Sequence, residues 1–183
     1  MKKMIRIFIV VSMLSVVFIS CKKDPVVDPN EEELLTTVRI TLTEKISGVQ
    51  SVFEFKDLDG EGGQPPSKFD QIILAKQKVY DCTLEFLNES ANPVDNITAE
   101  IQEEGADHEI FFTSTNSLVT FSNLSKDANN LPLGLTSTWT ASNATGTGTL
   151  SITLKHKPGI KASGDPITKG ETDVALDFAL AVQ

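Results

Sequence analysis

The sequence predicts a mostly β fold, an antiparallel β-sandwich of seven to nine short strands with one short helix near residues 97–104. Apolar and polar residues alternate along several segments, which would bury one face of each strand and expose the other. Clusters of Gly, Pro, Asn and Asp lie between these segments and are typical of turns. Residues 34–183 are long enough for a single domain that buries its own core.

The alternation defines the strands in chain order. Residues expected to point inward occur at every second position, and the opposite parity is polar or small. The inward residues are Val38, Ile40 and Leu42; Phe53 and Phe55; Tyr80, Cys82, Leu84 and Phe86; Leu150, Ile152 and Leu154; and Val174, Leu176, Phe178 and Leu180. Cys82 has no basic neighbour in its strand, so we expect a buried and unreactive thiol.

The position of Tyr80 indicates which type of β-sandwich the chain forms. It stands at the start of the predicted strand 80–86, as the tyrosine of the tyrosine corner does in immunoglobulin-like domains. In that corner the phenol hydroxyl bonds to upstream backbone while the ring packs. We therefore predict an immunoglobulin-like sandwich, with an ordinary strand tyrosine as the alternative, and in both cases Tyr80 is structural. Trp139, the only tryptophan, is expected to be a core aromatic rather than a platform for a ligand.

The segment that follows Asn96 departs from the strand pattern and predicts a helix. Asn96 can cap its start, good helix formers fill its interior, and Gly105 suits its end. The helix would deliver Asp107 and His108 to the start of the next strand. Glu104 precedes His108 by one helical turn, but Gly105 is expected to end the helix between them.

The N-terminal segment has the pattern of a bacterial lipoprotein signal. Basic residues precede an apolar run at positions 7–19, and Ser20 supplies the small residue that a signal peptidase needs before Cys21. The alternative is a transmembrane anchor, but the run is shorter than the roughly 20 apolar residues of a spanning helix. Residues 1–20 are therefore predicted to be a signal peptide, and residues 21–33 an acidic flexible tether that begins at a lipidated Cys21.

The residues Phe18-Ile19-Ser20-Cys21 resemble a lipobox of the looser type found in Bacteroidota. The resemblance implies acylation of Cys21 and anchoring in an outer membrane, on its periplasmic or cell-surface face. Two or more acyl chains are enough for stable anchoring. The charged run directly after Cys21 is similar to the export signals of surface lipoproteins in that phylum, with a merely solvated linker as the alternative.

Charge and motif content exclude two classes of function. Residues 1–20 contain three basic residues and no acid, so their removal moves the formal charge from −9 to −12. Nucleic-acid binding needs clustered Lys and Arg, so we expect no nucleic-acid partner. The acidity suits metal cations or simply solubility. The sequence has no glycine-rich phosphate loop, nucleophile elbow or paired-cysteine motif, so we expect no enzyme.

Two acidic loops are candidate calcium sites. Asp57, Asp59 and Glu61 place carboxylates at alternate positions among glycines, as an oxygen-ligated cation requires. The loop is not an EF-hand, because a lysine stands where the bidentate acid should be. The alternative is a solvated acidic hairpin loop. Asp127 and Asn129 form the second candidate, and otherwise lie in a long connection.

The two histidines give a different candidate site. Glu104, Asp107, His108 and the remote His156 offer the imidazole and carboxylate ligands that zinc or copper accepts. Both histidines adjoin predicted strands, so the fold can bring them together, although their spacing does not require it. The alternative is two separate histidines that are exposed or hydrogen-bonded.

Five segments carry a family resemblance, and together they extend over nearly all of the predicted domain. They are residues 55–63, 107–112, 131–139, 154–159 and 170–173. These segments resemble those of flavobacterial surface lipoproteins of the Bacteroidota. Such proteins often accompany TonB-dependent outer-membrane receptors, so the resemblance implies capture of a solute or metal ion for uptake. The alternative is a non-catalytic immunoglobulin-like module with a structural or adhesive role.

Overall fold

A computed structural model describes residues 34–60 and 62–183 of the chain. The predicted signal peptide at 1–20, the tether at 21–33 with Cys21, and Glu61 lie outside the described residues. The described chain is mostly β, as predicted, with two sheets and one α-helix.

Ten strands and one short α-helix make up the described fold. In chain order, the strands are β1 (Thr37–Glu44), β2 (Gln50–Lys56), β3 (Lys68–Phe69), β4 (Ile72–Leu74), β5 (Val79–Leu87), β6 (His108–Ser114), β7 (Val119–Ser122), β8 (Thr136–Ala141), β9 (Gly146–His156) and β10 (Glu171–Val182). The helix α1 is Ile97–Glu103, and a 3₁₀ turn occupies Thr115–Ser117. One sheet has the order β3-β2-β1-β5-β8-β7, and the other has the order β4-β10-β9-β6.

The ten strands of the described residues exceed the seven to nine that the sequence predicts. β3 and β4 are only two and three residues long, too short to show a period of two in the sequence. The sheets are also not wholly antiparallel, because β4 pairs in parallel with the end of β10. Two backbone hydrogen bonds, from Lys76 to Gln183 and from Gln183 to Leu74, extend that parallel edge.

The two sheets share one hydrophobic core, as expected of a sandwich. Inward residues of β1 and β5 and those of β9 and β10 belong to a single buried cluster. Trp139 on β8 is fully buried, and its ring meets the ring of Phe112 from the other sheet with centroids 5.8 Å apart. Its indole N–H donates to the hydroxyl of Ser137 at 2.9 Å, which satisfies the one polar atom of the side chain.

Helix α1 is held against β5 by both apolar and polar contacts. Ile97 and Ile101 lie one turn apart and are buried, which gives the helix an apolar face toward the core. The hydroxyl of Thr98 accepts from the backbone N–H of Phe86 and donates to its carbonyl. Asn96 precedes the helix as predicted, but its side chain makes no capping hydrogen bond.

Cys82 and Tyr80 both point into the core from β5. Cys82 is buried as a free thiol, and burial raises the pKa of that thiol to about 12. The hydroxyl of Tyr80 accepts a hydrogen bond of 3.0 Å from the backbone N–H of Ala75, five residues upstream. The tyrosine therefore closes the turn that leads into β5.

The α-helical content of the described residues is confined to a short segment. Among those residues, no helix has the length and apolar character needed to cross a membrane.

We predict that Tyr80→Phe lowers the free energy of unfolding by about 1 kcal/mol, because the substitution removes the acceptor of the Ala75 N–H. Urea unfolding should show a lower midpoint with an unchanged m-value. The matched control is Gln50→Ala, which removes an exposed side-chain hydrogen bond to the Thr43 hydroxyl and should change stability by less than about 0.5 kcal/mol. Equal midpoints for Tyr80→Phe and the wild type would contradict the expected role of the hydroxyl.

Candidate metal centre

The candidate site begins with a cross-strand histidine pair. β6 and β9 are antiparallel, and their register places His108 directly opposite His156. His108 shares the parity of Ile110, and His156 shares that of Leu154, so both rings continue the inward-facing row of the sheet. The two rings are stacked, with centroids 4.7 Å apart and an angle of 13° between their planes.

Glu104 completes a cluster of three metal-ligand types. It is the first residue after α1, so the end of the helix carries its carboxylate toward the histidine pair. One ligand atom from each of Glu104, His108 and His156 lies within 4.8 Å of the other two. His108 is buried, His156 is half-buried and Glu104 is exposed, so the cluster opens to solvent on the side of the carboxylate.

Burial sets the protonation state of His108. Its side chain is only 4% exposed, and this desolvation lowers the pKa of the imidazole, with a further lowering from the neighbouring His156. Nδ1 lies 3.2 Å from the backbone carbonyl oxygen of Glu104. A carbonyl can only accept, so a neutral His108 donates its Nδ1 proton there and keeps its lone pair on Nε2. That state is the one a metal ion needs.

The stacked rings must move before both can bind one ion. The lone pair of an imidazole nitrogen lies in the plane of its ring, and two parallel planes do not meet at a common point. In a tetrahedral zinc site with Zn–N of about 2.0–2.1 Å, two ligand atoms lie about 3.4 Å apart. Rotation of each ring about its Cβ–Cγ bond is a soft motion, because that torsion has broad minima. A bound metal would therefore increase the angle between the rings.

Asp107, the remaining acid predicted beside His108, has a different set of contacts. Its Oδ1 accepts from the backbone N–H of Gly159 at 2.9 Å, and its carbonyl accepts from the N–H of Lys157. It is not one of the three clustered residues. Asp107 thus joins the turn after α1 to the segment that follows β9.

A buried ion pair, Lys161 with Asp127, also contacts the turn after α1. The ammonium group of Lys161 donates to the carbonyl of Gly105 and to Oδ2 of Asp127, each at 2.8 Å. The side chains of Lys161 and Asp127 are 1% and 0% exposed. Burial by itself raises the pKa of the Asp127 carboxyl, but the hydrogen bonds from Lys161 and from two backbone N–H groups outweigh it and lower that pKa.

The second predicted calcium loop is therefore used for structure. Asp127 bonds Lys161 through Oδ2, and through Oδ1 it accepts from the backbone N–H groups of Asn129 and Leu131. Asn129 contributes its backbone to this turn. The Asp127 carboxylate is thus surrounded by the ammonium group of Lys161 and two backbone N–H groups, and calcium binding at this loop stays a prediction.

The sequence does not predict a second buried ion pair, between Lys157 and Glu109, beside the sheet that contains β6 and β9. Lys157 is fully buried, and its ammonium group bonds Oε2 of Glu109 at 2.6 Å. It also lies 4.6 Å from the centre of the Phe111 ring and 3.6 Å from Oδ2 of Asp165. In the sequence, Glu109 lies at a polar position of the strand alternation, which is typical of a solvent-facing residue. In the structure, the segment after β9 covers it.

Asp173 approaches the site from β10. The pairing of β10 with β9 shifts between Thr172 and Val174, so Asp173 is the extra residue of a β-bulge. Its Oδ2 lies 3.8 Å from Nε2 of His108. Nothing in the local sequence indicates this bulge, because its position depends on the register with β9.

The first acidic loop brings two of its three predicted ligands together. Asp57 is buried, whereas Asp59 is exposed and accepts from the backbone N–H of Gln64 at 2.8 Å. That hydrogen bond lowers the pKa of the Asp59 carboxyl, and a side-chain hydrogen bond with Asp57 lowers it further. The third predicted ligand, Glu61, lies outside the described residues.

No protein-family model, curated protein or solved structure matches the chain in comparisons with known proteins. The resemblance to flavobacterial surface lipoproteins therefore stays a prediction.

We predict that acidification destabilises the metal-free protein through His108. The pKa of His108 is lowered in the folded state, so below the ordinary pKa of about 6.5 the unfolded chain binds a proton that the folded chain excludes. Stability should fall as pH decreases from about 7 to 5.5, by about 1.4 kcal/mol for each tenfold loss of proton affinity. Urea unfolding with a chelator present measures this, and His108→Asn should flatten the profile. Parallel profiles for the two proteins would rule out His108 as the source.

We also predict that Lys161→Met destabilises the protein by about 3–5 kcal/mol, because it leaves the Asp127 carboxylate buried without its cation. The control is Lys126→Met, which removes an exposed lysine that bonds only the side chain of Asn130 and should cost less than about 0.5 kcal/mol. Thermal and urea unfolding measure both variants. A loss below about 1 kcal/mol for Lys161→Met would show that water replaces the ammonium group.

Proposed function

We propose that the protein is a non-catalytic lipoprotein that captures a transition-metal ion, Zn²⁺ or Cu²⁺, for a TonB-dependent uptake system at the outer membrane. The ligands in this proposal are Glu104, His108 and His156. The observation that carries it is the convergence of one ligand atom from each of these residues within 4.8 Å, although one residue follows α1 and the other two lie on β6 and β9.

The chemistry of the donors favours these metals over calcium. Two imidazole nitrogens and one carboxylate oxygen are the ligands that zinc and copper accept, whereas calcium takes six to eight oxygens. Three protein ligands leave one position of a tetrahedral ion for water or for a group on another molecule. An ion held in this way can be passed to a receptor that offers further ligands, which suits capture better than permanent storage.

The neutral state of His108 supports binding at physiological pH. Because burial lowers its pKa, protons compete little for its nitrogen until the pH falls well below 7. The contact from Nδ1 to the Glu104 carbonyl also sets the tautomer and leaves the lone pair of Nε2 for a metal, as hydrogen bonds to the second nitrogen do in known metal sites. The formal charge of −12 after the predicted cleavage would attract cations to the protein.

The location in this proposal rests on the N-terminal sequence pattern. The basic and apolar leader that ends at Cys21 supports lipid anchoring in the outer membrane, and the family resemblance supports a TonB-dependent receptor as partner. The tether at 21–33 would let the domain reach that receptor from the membrane surface.

A second candidate function is a structural or adhesive module of immunoglobulin-like type. The observation in its favour is the hydrogen bond from the Ala75 N–H to the Tyr80 hydroxyl at the start of β5, which is the bond that a tyrosine corner makes. In this case the acidic surface provides solubility, and the histidine pair is only a stacked contact at the end of the sheet.

Isothermal titration calorimetry of the purified full-length protein with Zn²⁺, Cu²⁺ and Ca²⁺ separates the two functions. We expect one Zn²⁺ or Cu²⁺ per chain, no heat with Ca²⁺ at this cluster, and a rise in melting temperature with the bound metal. His156→Ala and Glu104→Gln should each weaken metal binding about tenfold or more. Even the loss of a residue that only hydrogen-bonds a metal ligand typically lowers metal affinity by that factor.

The matched control for Glu104→Gln is Glu103→Gln, an exposed acid on the same helix that is not part of the cluster. It should bind metal as the wild type does. Absence of zinc and copper binding by the wild type would end the metal proposal and leave the structural module. Equal losses for the two glutamate variants would show that general acidity, and not the cluster, attracts the ion.

A further inference from the structure

A cavity of about 440 Å³ lies where the end of β2 approaches the start of β10. Its volume is within the range of about 300–1,000 Å³ that is usual for small-molecule sites, and it is far larger than one metal ion needs. Asp57 and Asp173 line it from opposite elements, and the apolar side chains of Phe55, Val174 and Leu176 line the remainder. The cavity thus combines carboxylates with an apolar wall.

The carboxylate of Asp57 is the main evidence that the cavity binds a ligand. It is only 8% exposed, and its Oδ1 is buried without a hydrogen-bond partner among the described residues. Burying a carboxylate oxygen without a partner is costly, and native structures nearly always satisfy such an atom. The neighbouring Asp59 carboxyl makes a side-chain hydrogen bond with Asp57, and this contact still leaves Oδ1 of Asp57 without a donor among the described residues. A ligand that donates a hydrogen bond and carries positive charge would remove this cost.

The bulge on β10 supplies the opposite wall. Regular pairing would alternate residues across the sheet, whereas the extra residue at Asp173 redirects that side chain. Bulges are frequent beside binding sites, where they aim a side chain. Asp173 reaches both the cavity and His108, so it connects this cavity with the candidate metal centre.

The charges around the cavity favour a cation. None of the described residues that line it is basic. The ammonium group of Lys155 donates to the hydroxyl of the lining residue Thr172 at 2.6 Å, so among the described residues a positive charge reaches the rim, where the cavity also has the carboxylates of Asp57 and Asp173. Calcium fits poorly, because it needs six to eight oxygen ligands and much of this lining is apolar.

We infer that this cavity binds a small organic cation, with an ammonium group at Asp57 and Asp173 and a short aliphatic body against Phe55 and Leu176. The site is separate from the proposed metal ligands. It adds a second class of captured solute, the primary amines, and its contact with His108 through Asp173 makes the two sites neighbours.

The test uses n-butylamine as the probe and n-butanol, its neutral counterpart, as the ligand control on the full-length protein. Saturation-transfer NMR and calorimetry should detect binding of the amine at pH 7, where it is protonated, and at least tenfold weaker binding of the alcohol. Asp57→Asn should weaken amine binding at least tenfold while the protein stays folded, because the amide has the shape of the carboxylate. Thermal unfolding checks the fold.

The matched control is Asp177→Asn, which neutralises an exposed carboxylate of β10 that does not line the cavity and should leave amine binding unchanged. His156→Ala should bind the amine as the wild type does and bind zinc more weakly. Asp57→Asn should bind zinc as the wild type does and bind the amine more weakly. Failure of zinc binding with intact amine binding would therefore end only the metal proposal. Three results would overturn the amine site: equal binding of amine and alcohol, full displacement of the amine by Ca²⁺, or an unchanged affinity in Asp57→Asn.

Discussion

The antiparallel register between β6 and β9 is the constraint on which the candidate metal centre depends. That register sets His108 opposite His156 and also directs Ile110 into the core. A slip of β6 by one residue would turn Ile110 outward and place Glu109 on the inner face, so the apolar core itself enforces the histidine pair. The site needs no additional device to bring its imidazoles together, because the burial of the neighbouring residues already does so.

The turn between α1 and β6 is the second part of the framework, since it carries Glu104. Burial of Ile97 and Ile101 fixes the helix, and the segment after β9 binds the turn through Lys161 and Asp107. The Lys161–Asp127 pair there is buried, so each charge depends on the other and tolerates little displacement, whereas the bond from Gly159 to Asp107 is exposed. The backbone at Glu104 is therefore anchored on both sides, although its side chain is exposed.

Local patterns predict most of the fold, and distant pairing explains what they miss. The alternation through Ile40 on β1 and Cys82 on β5, and the helix from Ile97, depend on neighbours within a few residues, so the sequence shows them directly. The meeting of His108 with His156 is only a hypothesis at the level of sequence, because strand register is a tertiary property. The bulge at Asp173 and the burial of Lys157, Glu109 and Asp127 likewise arise from segments that are far apart in the sequence.

The buried thiol of Cys82 has a practical consequence for spectroscopy. It is the only cysteine in the described part of the chain, and its pKa of about 12 leaves almost no thiolate at neutral pH to react with maleimides or methanethiosulfonates. A cysteine introduced by Ile46→Cys, at a position that is 89% exposed, would then be the single labelled site among these residues. The domain can accept one fluorophore or spin label at a chosen point without removal of its native cysteine.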